Sequence, residues 1–135
     1  MAQITSKFLL VDDDPINNFM STRALKKYFG EVQIDDFTIP EDGLVFINSG
    51  SFNVSSETDG KTTLFLDINM PSISGWEFLD AFKLFEAAIK EQFNIYILTS
   101  SVDHNDIEKA KENPLVIDFI EKPLNNASLI KLFGS

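Results

Sequence analysis

The sequence predicts an α/β domain built on a parallel sheet with helices on both faces, and three observations carry the prediction. Five short strand-like runs, four of them mainly apolar and the second mixed, alternate with segments whose apolar residues recur at helical spacing. No two successive runs are joined by a tight hairpin, so each strand must reach the next through a crossover, and such crossovers are right-handed. The runs also stop abruptly at acidic or hydroxyl residues, as strands buried on both faces do where they reach solvent.

In chain order, Phe8 to Val11 is wholly apolar and halts at Asp12-Asp13-Asp14. From Pro15, the residues Ile16, Phe19, Met20, Ala24, Leu25, Tyr28 and Phe29 describe an apolar helix face. Pro15 suits its first turn and Gly30 its end. Val32 to Phe37 reads as a second strand and Pro40 to Asn48 as a short helix. Ser49 to Lys61 reads as a polar, mobile loop, long for a compact domain. The third strand, Thr62 to Leu66, ends at Asp67, and one amphipathic helix is expected from Trp76 through Leu79, Phe82 and Phe85 to Ile89, with Trp76 as its anchor. Ile95 to Leu98 gives a fourth strand ending at Thr99. Asp103 to Glu112 is helix-permissive until Asn113-Pro114 breaks it. Val116 to Ile120 is the fifth strand, ending at Glu121-Lys122-Pro123, and Ala127 to Phe133 is the last helix.

With 135 residues the chain reads as a single domain over 1–135, and no linker or internal repeat divides it. The apolar share of 44% beside 24% charged residues is that of a globular protein rather than a disordered one. The absence of cysteine rules out a disulfide framework and thiolate metal sites. Neither a signal peptide nor a run long enough to span a bilayer is present, so a cytoplasmic location is expected. A net charge of −10 argues against nucleic acid and anionic membrane as partners and is compatible with cation binding.

In an open parallel sheet, ligands bind outside the carboxyl ends of the strands. Asp12 and Asp13, Asp67, Thr99 and Lys122 terminate the first, third, fourth and fifth runs. Three carboxylates drawn together repel unless a divalent cation neutralises them, and hard oxygen ligands of this kind suit Mg²⁺. The ammonium and hydroxyl add donors for an anion, so the set fits phosphoryl transfer onto one carboxylate to give an acyl phosphate. Asp14 would replace Asp13 as ligand if the strand ran one residue further. The stop of the apolar run at Val11 instead makes Asp14, just before Pro15, the cap of the first helix.

These pieces, Leu9-Leu10-Val11-Asp12-Asp13-Asp14-Pro15, Leu66-Asp67-Ile68-Asn69-Met70-Pro71 with Gly75, Leu98-Thr99-Ser100 and Glu121-Lys122-Pro123, resemble the response-regulator receiver domain over nearly the whole chain. The resemblance implies a flavodoxin-like (βα)5 fold with strand order 2-1-3-4-5. It implies Asp67 as phosphoacceptor, Asp13 as a direct Mg²⁺ ligand, Asp12 as a second acid acting largely through water, and Asn69 offering its backbone carbonyl. Thr99 would follow the phosphoryl group, Lys122 would pair with it, and Phe119 would stand where the family carries its switch aromatic. The proline after the lysine is commonly cis in this family. A sensor histidine kinase or histidine phosphotransfer protein would be the donor. No output domain is expected after the last helix, so the signal would leave by protein contact, either to an effector or onward to a histidine phosphotransfer protein in a relay.

Ser100 stands where a still smaller residue is common, and Asn69 is polar at a position that bears on hydrolysis. Asn69 also weakens the main alternative, a Mg²⁺-dependent aspartyl-nucleophile phosphohydrolase, because such enzymes carry a second aspartate there as general acid. A pseudo-receiver that binds partners without phosphorylation is the other alternative, opposed by the full set of five residues. His104, the only histidine, lies in a polar segment and reads as a surface residue.

Overall fold

A computed structural model of the chain describes residues 7–49, 62–100 and 104–133. The loop expected from Ser49 to Lys61 lies outside the described residues, apart from Ser49 itself. The strands are β1 (Lys7–Val11), β2 (Gln33–Phe37), β3 (Thr62–Asp67), β4 (Phe93–Thr99) and β5 (Val116–Glu121). Between and after them run α1 (Pro15–Phe29), α2 (Pro40–Ser49), α3 (Gly75–Lys83), α4 (Ala87–Lys90), α5 (His104–Glu112) and α6 (Asn126–Phe133). The sheet has the order β2-β1-β3-β4-β5, and every pairing is parallel. This is the flavodoxin-like arrangement that the sequence predicts.

Alternation along the strands explains the two cores. Leu9, Val11, Leu64, Leu66, Ile95 and Ile97 project to one face, where Ile47 of α2 and Phe78, Leu79 and Phe82 of α3 close over them. Phe8, Leu10, Phe65, Tyr96 and Leu98 project to the other, covered by Leu25 of α1 and Leu129 of α6. Phe8 and Phe65 stack there with ring centroids 6.2 Å apart. The central strand β3 is buried along its whole length, whereas β2, at one edge, carries Asp35 and Asp36, and such charges discourage pairing with a further strand.

At the opposite edge, β5 contains a bulge. Ile95 pairs with Val116, but Tyr96 pairs with Asp118, so Ile117 is skipped and stands 55% exposed. Beyond the bulge Ile97 faces Phe119 and Leu98 faces Ile120.

Helix ends follow their local chemistry. Asp14 caps α1 by accepting from Ile16 N at 2.9 Å, Pro15 follows, and Gly30 closes the helix at φ +91° while donating to Lys26 O. Ser74 and Glu77 form a reciprocal capping box at the start of α3.

Two expectations change. The single helix expected from Trp76 to Ile89 is two helices, because the chain tightens into 3₁₀-type bonds at Leu84 and Phe85 and becomes extended at Glu86 before α4. The break folds Phe85 and Ile89 back onto the cluster around Phe82. In α1 the expected apolar face holds only in the second half, where Leu25 is buried with Ala24, Tyr28 and Phe29 packed around it. Ile16, Phe19 and Met20 are 65%, 61% and 46% exposed, and the first half buries Asn18 and Ser21 instead.

Candidate functional site

The carboxyl ends of β1, β3 and β5 bring Asp12, Asp13, Asp67 and Lys122 together. Asp67 is the last residue of β3, and its side chain is 4% exposed. Asp12 follows β1 and is equally enclosed, while Asp13 lies closer to solvent. Lys122 Nζ lies 2.8 Å from Asp12 Oδ2 and 3.3 Å from Asp67 Oδ1. Asn69 donates its backbone N–H to Asp67 Oδ1 at 3.3 Å and is itself exposed.

Backbone packing aims these groups. Gly75 at the start of α3 presses on the turn after β3 so closely that a Cβ there would stand 2.8 Å from Asp67 O and 2.7 Å from Ile68 Cα. Its N–H donates to Ile68 O at 3.0 Å. Lys122 N donates to Thr99 O at 2.7 Å, and the Lys122–Pro123 peptide is cis.

Asn18 is a site residue that sequence reasoning missed. Its buried amide donates to Asp12 O at 3.1 Å and to Phe37 O at 3.4 Å, tying the acidic turn to the end of β2. The sequence carries no signal for it, because Asn18 lies off the apolar stripe of α1 and reads as a solvent-facing residue. Asp14, by contrast, serves as the helix cap and lies outside the acid cluster.

Burial, and next the adjacent Asp12 carboxylate, push the Asp67 carboxyl up to about 6 against the pull of Lys122. For Lys122, burial works against the ammonium, but the close ionic contact with Asp12 and the charge of Asp67 outweigh it and raise its pKa.

The donor set fits a divalent cation. One carboxylate oxygen from each of Asp12, Asp13 and Asp67 lies within 4.8 Å of the others. Asp12 Oδ2 is buried without a hydrogen bond of good geometry, leaving only the short ionic contact with Lys122. Such a hard, under-satisfied oxygen cluster suits Mg²⁺.

Thr99 is buried at the end of β4, one residue beyond Leu98, the partner of Asp67. With Ile68, Ile97, Asp106, Ile107 and Phe119 it lines a small cleft, so Thr99 and Phe119 face the same space. Phe119 is half-buried. Trp76 fastens α3 to α5 by donating its indole N–H to Asp106 Oδ1 at 3.3 Å. His104 is exposed, with Glu108 Oε2 3.9 Å from its Nε2. Ser100 is exposed beside Thr99.

A family model described as the response regulator receiver domain matches residues 8–133. Among solved structures the chain is similar to a two component response regulator from Cytophaga hutchinsonii, with 30% identity and a TM-score of 0.80 over 94% of this chain and 92% of that one. It is similar to a response regulator receiver protein from Dyadobacter fermentans, with 25% identity and a TM-score of 0.77 over 96% and 98% of the two chains. It shares its fold with the phosphorylated cyanobacterial phytochrome response regulator RcpA, at 21% identity and a TM-score of 0.71 over 96% and 89%.

Proposed function

Because this chain belongs to the response regulator receiver domain family, a family of signalling domains, we propose that it serves a phosphorelay by accepting a phosphoryl group on Asp67 in the presence of Mg²⁺. The observation that carries this reading is the enclosed Asp67 carboxylate, which meets one lysine and two further acids at the sheet's carboxyl edge.

Asp12, Asp13, Asp67 and the backbone carbonyl of Asn69 would hold Mg²⁺, which when bound would supply positive charge against the phosphoryl oxygens. An Asp67 oxygen attacks phosphorus in line and forms a P–O bond. The P–N bond to the donor's histidine breaks, and the imidazole leaves with that electron pair and takes a proton from solvent. Lys122, now shared between Asp12 and Asp67, pairs with the transferred group. The Thr99 hydroxyl follows the group, and the space it leaves in the shared cleft admits Phe119, altering the surface around α5 and β5. Phosphorylation thereby shifts a population between two packings.

The donor, a sensor histidine kinase or a histidine phosphotransfer protein, must bring its imidazole to the rim of this site. The exposed Ile16, Phe19 and Met20 on the first half of α1, beside the acidic turn, offer it an apolar docking face. Among the described residues no helix is long and apolar enough to cross a membrane, and we assign the chain to the cytoplasm. The effector that reads the switched surface is a protein.

The test is intact-mass measurement after incubation with acetyl phosphate and Mg²⁺, with Asp67→Asn in parallel. One phosphoryl adduct is expected on the parent and none on the variant. An adduct of the same yield on the variant would move the acceptor elsewhere.

A further inference from the structure

A cavity of about 550 Å³ lies away from the acidic site, between α3, α4 and α5. Its floor is apolar, formed by Trp76, the fully buried Leu79, and Leu115. Three helices each contribute one lysine to its lining: Lys83 from α3, Lys90 from α4 and Lys109 from α5. Lys90 Nζ donates to Lys83 O at 3.0 Å, and Lys109 Nζ stands 5.8 Å from the Trp76 ring centre, so two of the three are positioned by local contacts. Asp80 and Glu112 also line the cleft. Three lysines against two carboxylates leave one net positive charge, in a chain whose total is −10.

We propose that this cleft docks an acidic amphipathic segment of a partner protein, with an apolar side chain on the Trp76–Leu79–Leu115 floor and flanking carboxylates on the lysines. The charge distribution selects the partner. An acidic segment is repelled by the chain as a whole and finds its compensating ammonium groups beside an apolar floor in this cleft. A basic segment would be drawn to the acids distributed over the rest of the molecule and gain nothing here. The floor demands an apolar residue, since burying a bare charge on it would be unfavourable. Because Trp76 follows Gly75, which abuts the Asp67 backbone, and is bonded to Asp106 of α5, the floor adjoins both the acceptor turn and the helix beside Phe119. The proposal goes beyond the phosphoacceptor reading and does not depend on it.

Trp76 is the only tryptophan, so its fluorescence reports this cleft directly. The probe is an acetylated peptide of alternating glutamate and leucine, titrated into the full, unphosphorylated chain. An all-glutamate peptide, a lysine–leucine peptide and the dye 1-anilinonaphthalene-8-sulfonate serve as comparisons. Saturable binding with a change in Trp76 emission is expected, weakened at least about tenfold by Lys83→Glu with Lys109→Glu and changed by less than about twofold by Lys131→Glu on α6. Asp67→Asn, which removes the phosphoacceptor, leaves the binding in place, so the two readings fail separately. Equal binding by the double variant, equal binding by the all-glutamate or lysine–leucine peptide, or binding that leaves Trp76 unchanged would overturn the proposal. Binding of the dye without the peptide would make the cleft a small-anion site and overturn the partner-protein occupant.

Discussion

The ammonium of Lys122 rests 2.8 Å from Asp12 Oδ2, closer than it stands to the carboxylate of the proposed acceptor. Without a cation beside it, the lysine is the counter-ion of the buried Asp12 oxygen, which has no hydrogen bond of its own. A divalent cation ligated by Asp12 must therefore compete with Lys122 for that oxygen.

Removing the competitor while keeping the volume of its aliphatic stem, as in Lys122→Met, is expected to tighten Mg²⁺ binding about tenfold, ~1.4 kcal/mol. The same change should abolish phosphorylation of Asp67. Calorimetric titration with MgCl₂ measures the first effect and intact mass the second. An unchanged or weaker Mg²⁺ affinity would contradict the counter-ion role.

A second expectation concerns pH. The Asp67 carboxyl is raised to about 6 in the folded chain by burial first and by Asp12 second, against its ordinary 3.8. Between these values the folded state holds more protons than the unfolded one, so stability falls as pH rises through that window and stays lowered above it. Asp67→Asn removes the penalty. In chelator, the variant should exceed the parent by on the order of 2 kcal/mol near neutral pH and match it at about pH 4. Urea unfolding across this range decides the matter, and a variant no more stable than the parent at neutral pH would refute the expectation.

Gly75→Ala places a methyl group against Asp67 O and Ile68 Cα, both backbone atoms that cannot rotate away. We expect a loss of about 2 kcal/mol in stability and slower phosphorylation from acetyl phosphate, because the acceptor turn must shift. Denaturant unfolding and the rate of adduct formation test this. Parent-like values in both would mean that α3 moves aside at little cost.

Phe19 is 61% exposed beneath the Arg23 guanidinium, whose carbon lies 5.9 Å from the ring centre. Phe19→Glu should leave stability within about 0.5 kcal/mol. It should slow transfer from a phosphohistidine protein about tenfold while sparing transfer from acetyl phosphate. Comparing the two donors by phosphotransfer assay separates docking from chemistry. Equal slowing with both donors would place the fault in the site itself.

Most of the architecture was legible because buried strands and amphipathic helices repeat a simple pattern. Phe8 to Val11 is apolar throughout and Thr62 to Leu66 apolar after its two threonines because both faces are covered, and the acids after them mark where covering ends. Asp12, Asp13, Asp67 and Lys122 were legible for the same reason, as chemistry placed at strand ends. The exposed side of α1 was not. Its first turns pack over backbone carbonyls of Asp12 and Phe37 that require a donor, so Asn18 turns inward and Ile16 and Phe19 turn out, against the preference of hydrophobicity alone. The break between α3 and α4 was equally hidden, since Phe85 and Ile89 satisfy a continuous helical stripe and still pack better after a turn.

The bulge at Ile117 carries a consequence of its own. A strand is a count in twos, and one surplus residue converts odd positions to even. With it, Phe119 stands opposite Ile97 and shares the cleft lined by Thr99; without it, Phe119 would stand opposite Leu98, on the side of α1 and α6. In the proposed switch, the direction in which a movement of Thr99 is transmitted is therefore set by register, and the same residues paired without a bulge from Val116 onward would deliver the message to the opposite side of the sheet.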